Sequence, residues 1–289
     1  MGFEEVMALT NRLLTSAQAL AAVAARIRLD ELEVAGDPAV RAQLDRVLGE
    51  LGVADDVEAL DERERSIVVS FARSYLAQAL DLVDDPARGG AWSYSDPTLL
   101  RAQGSASAAV ARLITEAGLG SPGARILDVG TGVGGLAIAF CTTFPDATVV
   151  GIDPWEPALA IARESVASAG LEARVTLLPA SIEDFEDPDG FDLVWLPSFF
   201  IPEAVLDGAI ERVFALTRPG GTVVVGAPYA GEADPVASAV DDLVTVRSGG
   251  SILDPADGVA RLRRAGFAEA HEIERTWDAP LQLVAARRS

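Results

Sequence analysis

The chain has 289 residues, 49% of them hydrophobic, and a formal net charge of −21, from 44 acidic residues against 23 basic ones that are all Arg. The absence of Lys excludes a Schiff-base lysine and the lysine of a Walker A loop, and the negative balance offers nothing to meet nucleic-acid phosphates or an anionic membrane. One His and one Cys cannot build a zinc site from the usual Cys/His ligands, though carboxylates could still hold a hard cation, and no metal is assigned; a single Cys forms no internal disulfide, which suits a reducing, cytoplasmic setting.

Taken in chain order, the first hundred residues read as helical. From Phe3 to Leu32, apolar residues recur at three- and four-residue steps (Val6, Leu9, Leu13, Leu20, Ile27), the pattern of an amphipathic helix. The wholly apolar run Ala19–Ala25 is far shorter than the roughly 20 residues a bilayer requires. Gly36, Asp37 and Pro38 end that helix and open a second one through Leu51. Asp55–Arg65 is a charged stretch, a solvated face or a linker, and Ser66–Val83 is a further amphipathic helix. Asp96 can cap a helix that starts at Pro97 and runs to Ala117, stopped by Gly118.

The character changes at Arg125. Runs with strand chemistry (125–130, 148–153, 175–180, 191–197, 221–228) alternate with helical stretches (134–143, 157–169, 202–216, 256–265). Such alternation calls for a mostly parallel sheet covered on both faces. Residues 230–254 read as an inserted helix plus loop over one edge of the cleft. The last two strands, 269–275 and 281–288, are joined by Asp278, Ala279 and Pro280. That link is too short for a parallel crossover, so one of the pair must be antiparallel.

The strongest motif is Ile126-Leu-Asp-Val-Gly130-Thr-Gly132-Val-Gly134-Gly135. A buried strand runs into glycines that open a helix, at the strand end where open α/β sheets bind ligands. Glycine there lets main chain approach a ligand closely. Gly130, Gly132 and Gly135 also satisfy Gly-x-Gly-x-x-Gly, which admits a nicotinamide or flavin dinucleotide. Asp128, two residues before the first glycine, stands where a dinucleotide fold usually has an apolar residue; an acid there suits a ligand carrying an ammonium group.

With this motif in place, the sequence over about residues 105–289 resembles the class I S-adenosylmethionine-dependent methyltransferases. Ile126–Gly134 is similar to the family's first motif and Val149-Val-Gly-Ile-Asp153 to its second. Phe191-Asp-Leu-Val-Trp-Leu resembles the fourth strand, Leu216-Thr-Arg-Pro-Gly-Gly-Thr-Val-Val-Val the turn and fifth strand, and Arg264-Ala-Gly-Phe267 the entry to the sixth. The resemblance implies a Rossmann-like, seven-stranded, mostly parallel sheet with an antiparallel strand near the C-terminus, preceded by a helical cap. It divides the chain into a cap, 1–104, and a cofactor-binding core, 105–289.

The resemblance also implies residue roles. Gly130, Thr131, Gly132 and Gly134 would line the methionine part of S-adenosylmethionine, with Asp128 near its amino group, directly or through a water. Asp153 would accept from both ribose hydroxyls, since a carboxylate presents two acceptor oxygens. Asp153 followed by Pro154 also reads as a helix N-cap, with Glu156 completing a capping box. Trp155 offers an indole face to adenine. Many relatives have an acid at the third-strand turn where this chain has Ser181; Ser181, Glu183 or Asp184 is left to read the adenine amino group, with Ile182 packing on the ring. Gln103 and Ser105 fall where relatives approach the cofactor's carboxylate.

For the acceptor, Trp92, Tyr94, Trp195, Phe199, Phe200 and Tyr229 are the candidate walls of an apolar pocket. No base stands out. His271, in a strand near the C-terminus, reads as a structural or surface residue, and the fourth strand ends in Trp195-Leu-Pro197-Ser-Phe199-Phe200 without the Asn/Asp-Pro-Pro-aromatic signature of many amine and DNA methyltransferases. The expectation is methyl transfer to a small-molecule acceptor, O-directed, in secondary metabolism. Two rivals stand beside it: an NAD(P)-dependent oxidoreductase using the same turn, which would lack a Tyr-x-x-x-Lys pair, and a non-catalytic cofactor-binding partner subunit. Helical caps often form homodimers, but the sequence does not fix the oligomer.

Overall fold

The computed structural model describes residues 2–34, 36–92, 94–97, 100–101, 104, 107–229, 235–277 and 281–289. These form two compact units, Met1–Pro86 and Ala87–Ser289. The division falls ahead of residue 104, so the segment from Ala87 onward belongs to the same unit as the sheet.

The first unit is helical: α1 (Phe3–Glu31), α2 (Pro38–Leu51), α3 (Ala54–Ala59) and α4 (Glu62–Asp84). Asp37 caps α2 by accepting from the amides of Ala39 and Val40. Asp61 and Glu64 form a reciprocal capping box that starts α4, so the charged stretch 55–65 resolves into a short helix and a helix start rather than a linker. Helix α1 packs on α2 and α4. Arg26, buried on α1, donates to Asp30 and Asp45, each at 2.5 Å. Residues 2–16 of α1 are exposed throughout, including Phe3, Leu13 and Leu14.

The second unit is built on one seven-stranded sheet. Its helices and strands, in chain order, are α5 (Ala109–Glu116), β1 (Arg125–Val129), α6 (Gly135–Thr143), β2 (Thr148–Ile152), α7 (Glu156–Ser168), β3 (Val175–Leu178), β4 (Phe191–Pro197), α8 (Glu203–Leu216), β5 (Thr217–Pro228), α9 (Pro235–Arg247), α10 (Pro255–Arg264), β6 (Ala268–Glu272) and β7 (Leu281–Arg287), with a 3-10 turn over Ser198–Phe200. The expected helix from Pro97 to Ala117 is interrupted by a turn at Ala108, just ahead of α5.

The sheet order is β3-β2-β1-β4-β5-β7-β6. Strands β1 to β5 are parallel, and β7 is antiparallel to both its neighbours. The expected seven strands and the antiparallel pairing are therefore present. An all-parallel dinucleotide sheet keeps the sixth strand directly beside the fifth; here β7 stands between them.

Period-2 alternation splits the apolar residues between two faces. Leu127, Val194 and Val225 point to the face covered by α8 and α10. Ile126, Leu193 and Val224 point to the face covered by α5 and α6. With both faces covered, the carboxyl ends of β1 to β4 are where main chain meets a cavity.

Candidate functional site

The site begins at the glycine turn. Gly130, Gly132 and Gly134 have φ of +69°, +56° and +80°, a region in which a side chain is strained. The turn is tied to the end of β2: the amides of Gly130 and Thr131 both donate to the Ile152 carbonyl, at 2.9 and 3.0 Å. A Cβ added at Gly132 would meet nothing nearer than the Gly130 carbonyl at 3.9 Å. Gly132 lines the cavity, so a side chain there would occupy it.

Asp153 follows β2 and holds the other side of the turn. Its Oδ2 accepts from the Gly132 amide at 2.9 Å and its Oδ1 from the Trp155 amide at 2.7 Å. Each carboxylate oxygen keeps a second lone pair. Burial pushes this carboxyl upward, while the two amide bonds pull it back down. The capping-box reading of Asp153 does not hold: Trp155 is the N-cap of α7, and Glu156 pairs with Arg163 at 2.6 Å.

Asp128 lies behind the turn, 1% exposed, outside the residues that line the cavity. Its Oδ2 accepts from the Thr131 hydroxyl at 2.7 Å. Burial pushes its carboxyl up to about 7, and the charge of Asp153 adds to the rise. Thr131 does line the cavity, so the acid reaches the ligand space through that hydroxyl.

The cavity has a volume of about 440 Å³. Its walls are the turn Val129–Val133, Ile152–Trp155 after β2, Ala180–Glu183 after β3 and Phe200–Pro202 after β4, with Val205 and Ala158 from the helices that follow. Trp92, Leu100, Gly104 and Ser107 enter from the segment before α5. Leu100, Val133, Ala158 and Ile161 pack together, with Trp92 and Trp155 against them, and the Trp155 indole donates to the Tyr94 carbonyl at 3.1 Å.

Among the residues expected at the cofactor, Gly130, Thr131, Gly132, Asp153, Pro154, Trp155, Ser181 and Ile182 line this one cavity. Gly134 instead packs behind it, its Cβ direction meeting Ala162 at 3.4 Å. Glu183 lines the cavity and Asp184 does not. Gln103 and Ser105 lie outside the described residues.

The aromatic candidates divide. Trp92 and Phe200 line the cavity and meet edge to face at 5.5 Å. Tyr94 continues the row behind Trp92 at 5.3 Å, and Phe199 behind Phe200 at 4.9 Å. Trp195 is 3% exposed in the core on the α5/α6 face, away from the cavity because its strand position turns it there. The Tyr229 ring is covered by the Arg275 guanidinium at 3.7 Å. His271 is exposed on β6, its Nδ1 2.7 Å from the Glu269 carbonyl.

Sequence reasoning missed Gly90, Ala91, Ser248 and Gly249, which line the cavity. The Ala91 amide donates to the Arg247 carbonyl at 3.2 Å, and a Cβ at Gly249 would meet the Ala91 Cα at 3.2 Å. The available signal was the pair of Gly-Gly steps at 89–90 and 249–250, each permitting a close main-chain approach. Among the described residues, no group of three or more His, Cys, Asp or Glu is placed to hold a metal ion.

A mostly parallel sheet with an antiparallel β7 thus carries a ligand cavity bounded by a glycine turn and a carboxylate at the next strand end. Residues 126–221 match a family model described as "Methyltransferase domain". The demethylmenaquinone methyltransferase of Thermus thermophilus is 40% identical over 102 residues, which is 35% of this chain and 46% of that protein. The chain spans less than half the length of the curated relatives it matches. A putative O-methyltransferase from Nostoc punctiforme superposes with a TM-score of 0.72 at 19% identity, covering 97% of this chain and 98% of that one. Human N-acetylserotonin methyltransferase, solved in complex with S-adenosylmethionine, superposes at 0.69 with 16% identity over 100% of both chains. At these identities what is shared is the fold. Residues 126–221 thus carry a methyltransferase domain, on a fold shared with methyltransferases of solved structure.

Proposed function

We propose that this protein transfers a methyl group from S-adenosylmethionine to an oxygen of a small-molecule acceptor, in secondary metabolism. The observation that carries the reading is Gly132, bare toward the cavity with its amide held by Asp153. A backbone that presents no side chain to a ligand, beside a carboxylate with spare acceptor capacity, fits an amino acid tail joined to a ribose. When bound, S-adenosylmethionine supplies a methyl group already activated by its sulfonium, with a neutral thioether as leaving group.

The chain's own contribution is to bind, align and exclude water. In this reading Gly130, Thr131 and Gly132 hold the methionine part, and Asp153 accepts from the ribose hydroxyls. Pro154, Trp155, Ser181 and Ile182 flank the adenine, with Glu183 the acid in reach of its amino group. Gln103 is assigned to the carboxylate end. Trp92 and Phe200 form the acceptor wall. The cavity's ionisable lining residues, among those described, are Asp153 and Glu183, both at strand ends on the cofactor side.

The same proposal gives residues 1–104 the role of acceptor-covering cap and 105–289 that of cofactor core. It also includes a homodimer, supported by the uncovered apolar residues of α1, and a cytoplasmic location, supported by a single Cys141 that is free and buried. Among the described residues no helix is long and apolar enough to cross a membrane.

Calorimetry with S-adenosylhomocysteine and with NAD tests the cofactor: the first is expected to bind and the second not. Binding of NAD alone would overturn the reading in favour of an oxidoreductase. Labelled methyl transfer from S-adenosylmethionine to a panel of phenols and other hydroxylated small molecules then separates an enzyme from a non-catalytic binding subunit, which would transfer to none of them.

A further inference from the structure

We propose that Asp128 is a positioning residue that balances charge through the Thr131 hydroxyl: the free protein keeps a proton on Asp128, and a ligand bringing positive charge to Thr131 sends that proton to solvent. The inference rests on the cofactor reading above and deepens it, because it concerns how the same site accepts a cationic ligand.

The two carboxylates of the site are unequally served. Asp153 receives two amide hydrogen bonds, from Gly132 and Trp155, and such donors favour the ionised form. Asp128 receives the Thr131 hydroxyl and is 1% exposed, so its ionised form is far more costly. The unequal donors and the deeper burial put the retained proton on Asp128. Burial pushes its carboxyl up to about 7.

Among the described residues, no cation acts on the Asp128 carboxyl. Its in-register neighbours are Gly151 on β2 and Trp195 on β4. Asp153, just beyond β2, is the charged group whose field reaches it, and that field opposes ionisation. The Thr131 hydroxyl is held in place because it packs on Gly151, where an added Cβ would come within 2.7 Å of Oγ1. A ligand ammonium placed against that hydroxyl supplies the missing positive charge. The O–H bond of the Asp128 carboxyl breaks, the proton passes to buffer, and the carboxylate remains as partner to the new cation.

The experiment is calorimetry of the whole protein with S-adenosylhomocysteine and S-adenosylmethionine in phosphate and in Tris, at several pH values between about 5.5 and 8.5. The expected result is a binding heat that differs between buffers, corresponding to nearly one proton released at the acid end and almost none at the alkaline end. Affinity should rise about tenfold per pH unit below the midpoint and level off above it. Asp128→Asn should bind with a heat independent of buffer. Thr131→Val, which keeps the acid but removes the donor, should move the midpoint of release to higher pH. Heats equal in both buffers for the unmodified protein would overturn the inference while leaving the cofactor reading intact. Proton release that persists in Asp128→Asn, or an unmoved midpoint in Thr131→Val, would also overturn it. Failure of either nucleoside to bind would instead remove the cofactor reading on which it depends.

Discussion

Asp153 accepts from the Gly132 and Trp155 amides and lines the cavity, and the proposed function has the same carboxylate accept from a ribose. Asp153→Ala should therefore weaken binding of S-adenosylhomocysteine by about 1–3 kcal/mol, the scale of hydrogen bonds to a charged group, as measured by calorimetry. Unchanged affinity with a lowered melting temperature would mean that the side chain serves only the turn. The sequence motif singled out Asp128 and Asp153 alike, but not that Asp153 lines the cavity while Asp128 is buried behind the turn, since that depends on how the strand ends pack. The placement of the aromatics was not legible either. Which face a strand residue takes depends on its odd or even position and on any bulge, and the pairing of β4 with β5 shifts register between Phe191 and Leu193. Trp195 accordingly enters the core, while Phe200, beyond the strand, reaches the cavity.

At the scale of elements, the strands were readable from runs of Val, Ile and Leu between turn residues, as β4 over Phe191–Pro197 shows. The start of α4 was not, since its signal is the reciprocal pair Asp61 and Glu64 inside a highly charged stretch. Helix α1 carries a further consequence. A helix whose first four turns are solvent-exposed is marginal in isolation, and Leu13 and Leu14 are 59% and 55% exposed there. If a second copy covers this stretch, Leu13→Glu combined with Leu14→Glu should convert a dimer to a monomer in sedimentation velocity, with the fold of the 87–289 unit retained. A wild-type chain that sediments as a monomer at micromolar concentration would overturn the homodimer.

For the whole molecule, the buried acid predicts a stability profile. Asp128 has an ordinary carboxyl value when unfolded and about 7 when folded. The folded state therefore binds the extra proton between those values, and its stabilising contribution is full below the unfolded value and lost as pH rises through about 7. Asp153 acts in the same direction. Asp30 and Asp187, held low by Arg26 and Arg125, act in the opposite direction at more acid pH. Asp128→Asn should thus gain melting temperature over the unmodified protein as pH increases from about 5 to 8, by about 2–4 °C per kcal/mol removed. A difference that stays constant across that range in calorimetric melts would contradict the assignment.

The insertion of β7 between β5 and β6 constrains the order of assembly. Strand β5 contributes Val223, Val224 and Val225 to the interior, each 0% exposed, and its outer edge is paired by β7 alone. During synthesis, the nascent chain carries that apolar edge unpaired until residues 281–287 emerge from the ribosome, because β6, which emerges earlier, pairs with β7 and not with β5. Bare edges of this kind recruit other chains. The interval between translating the fifth and the seventh strand is therefore the period when this edge is open to pairing with another chain.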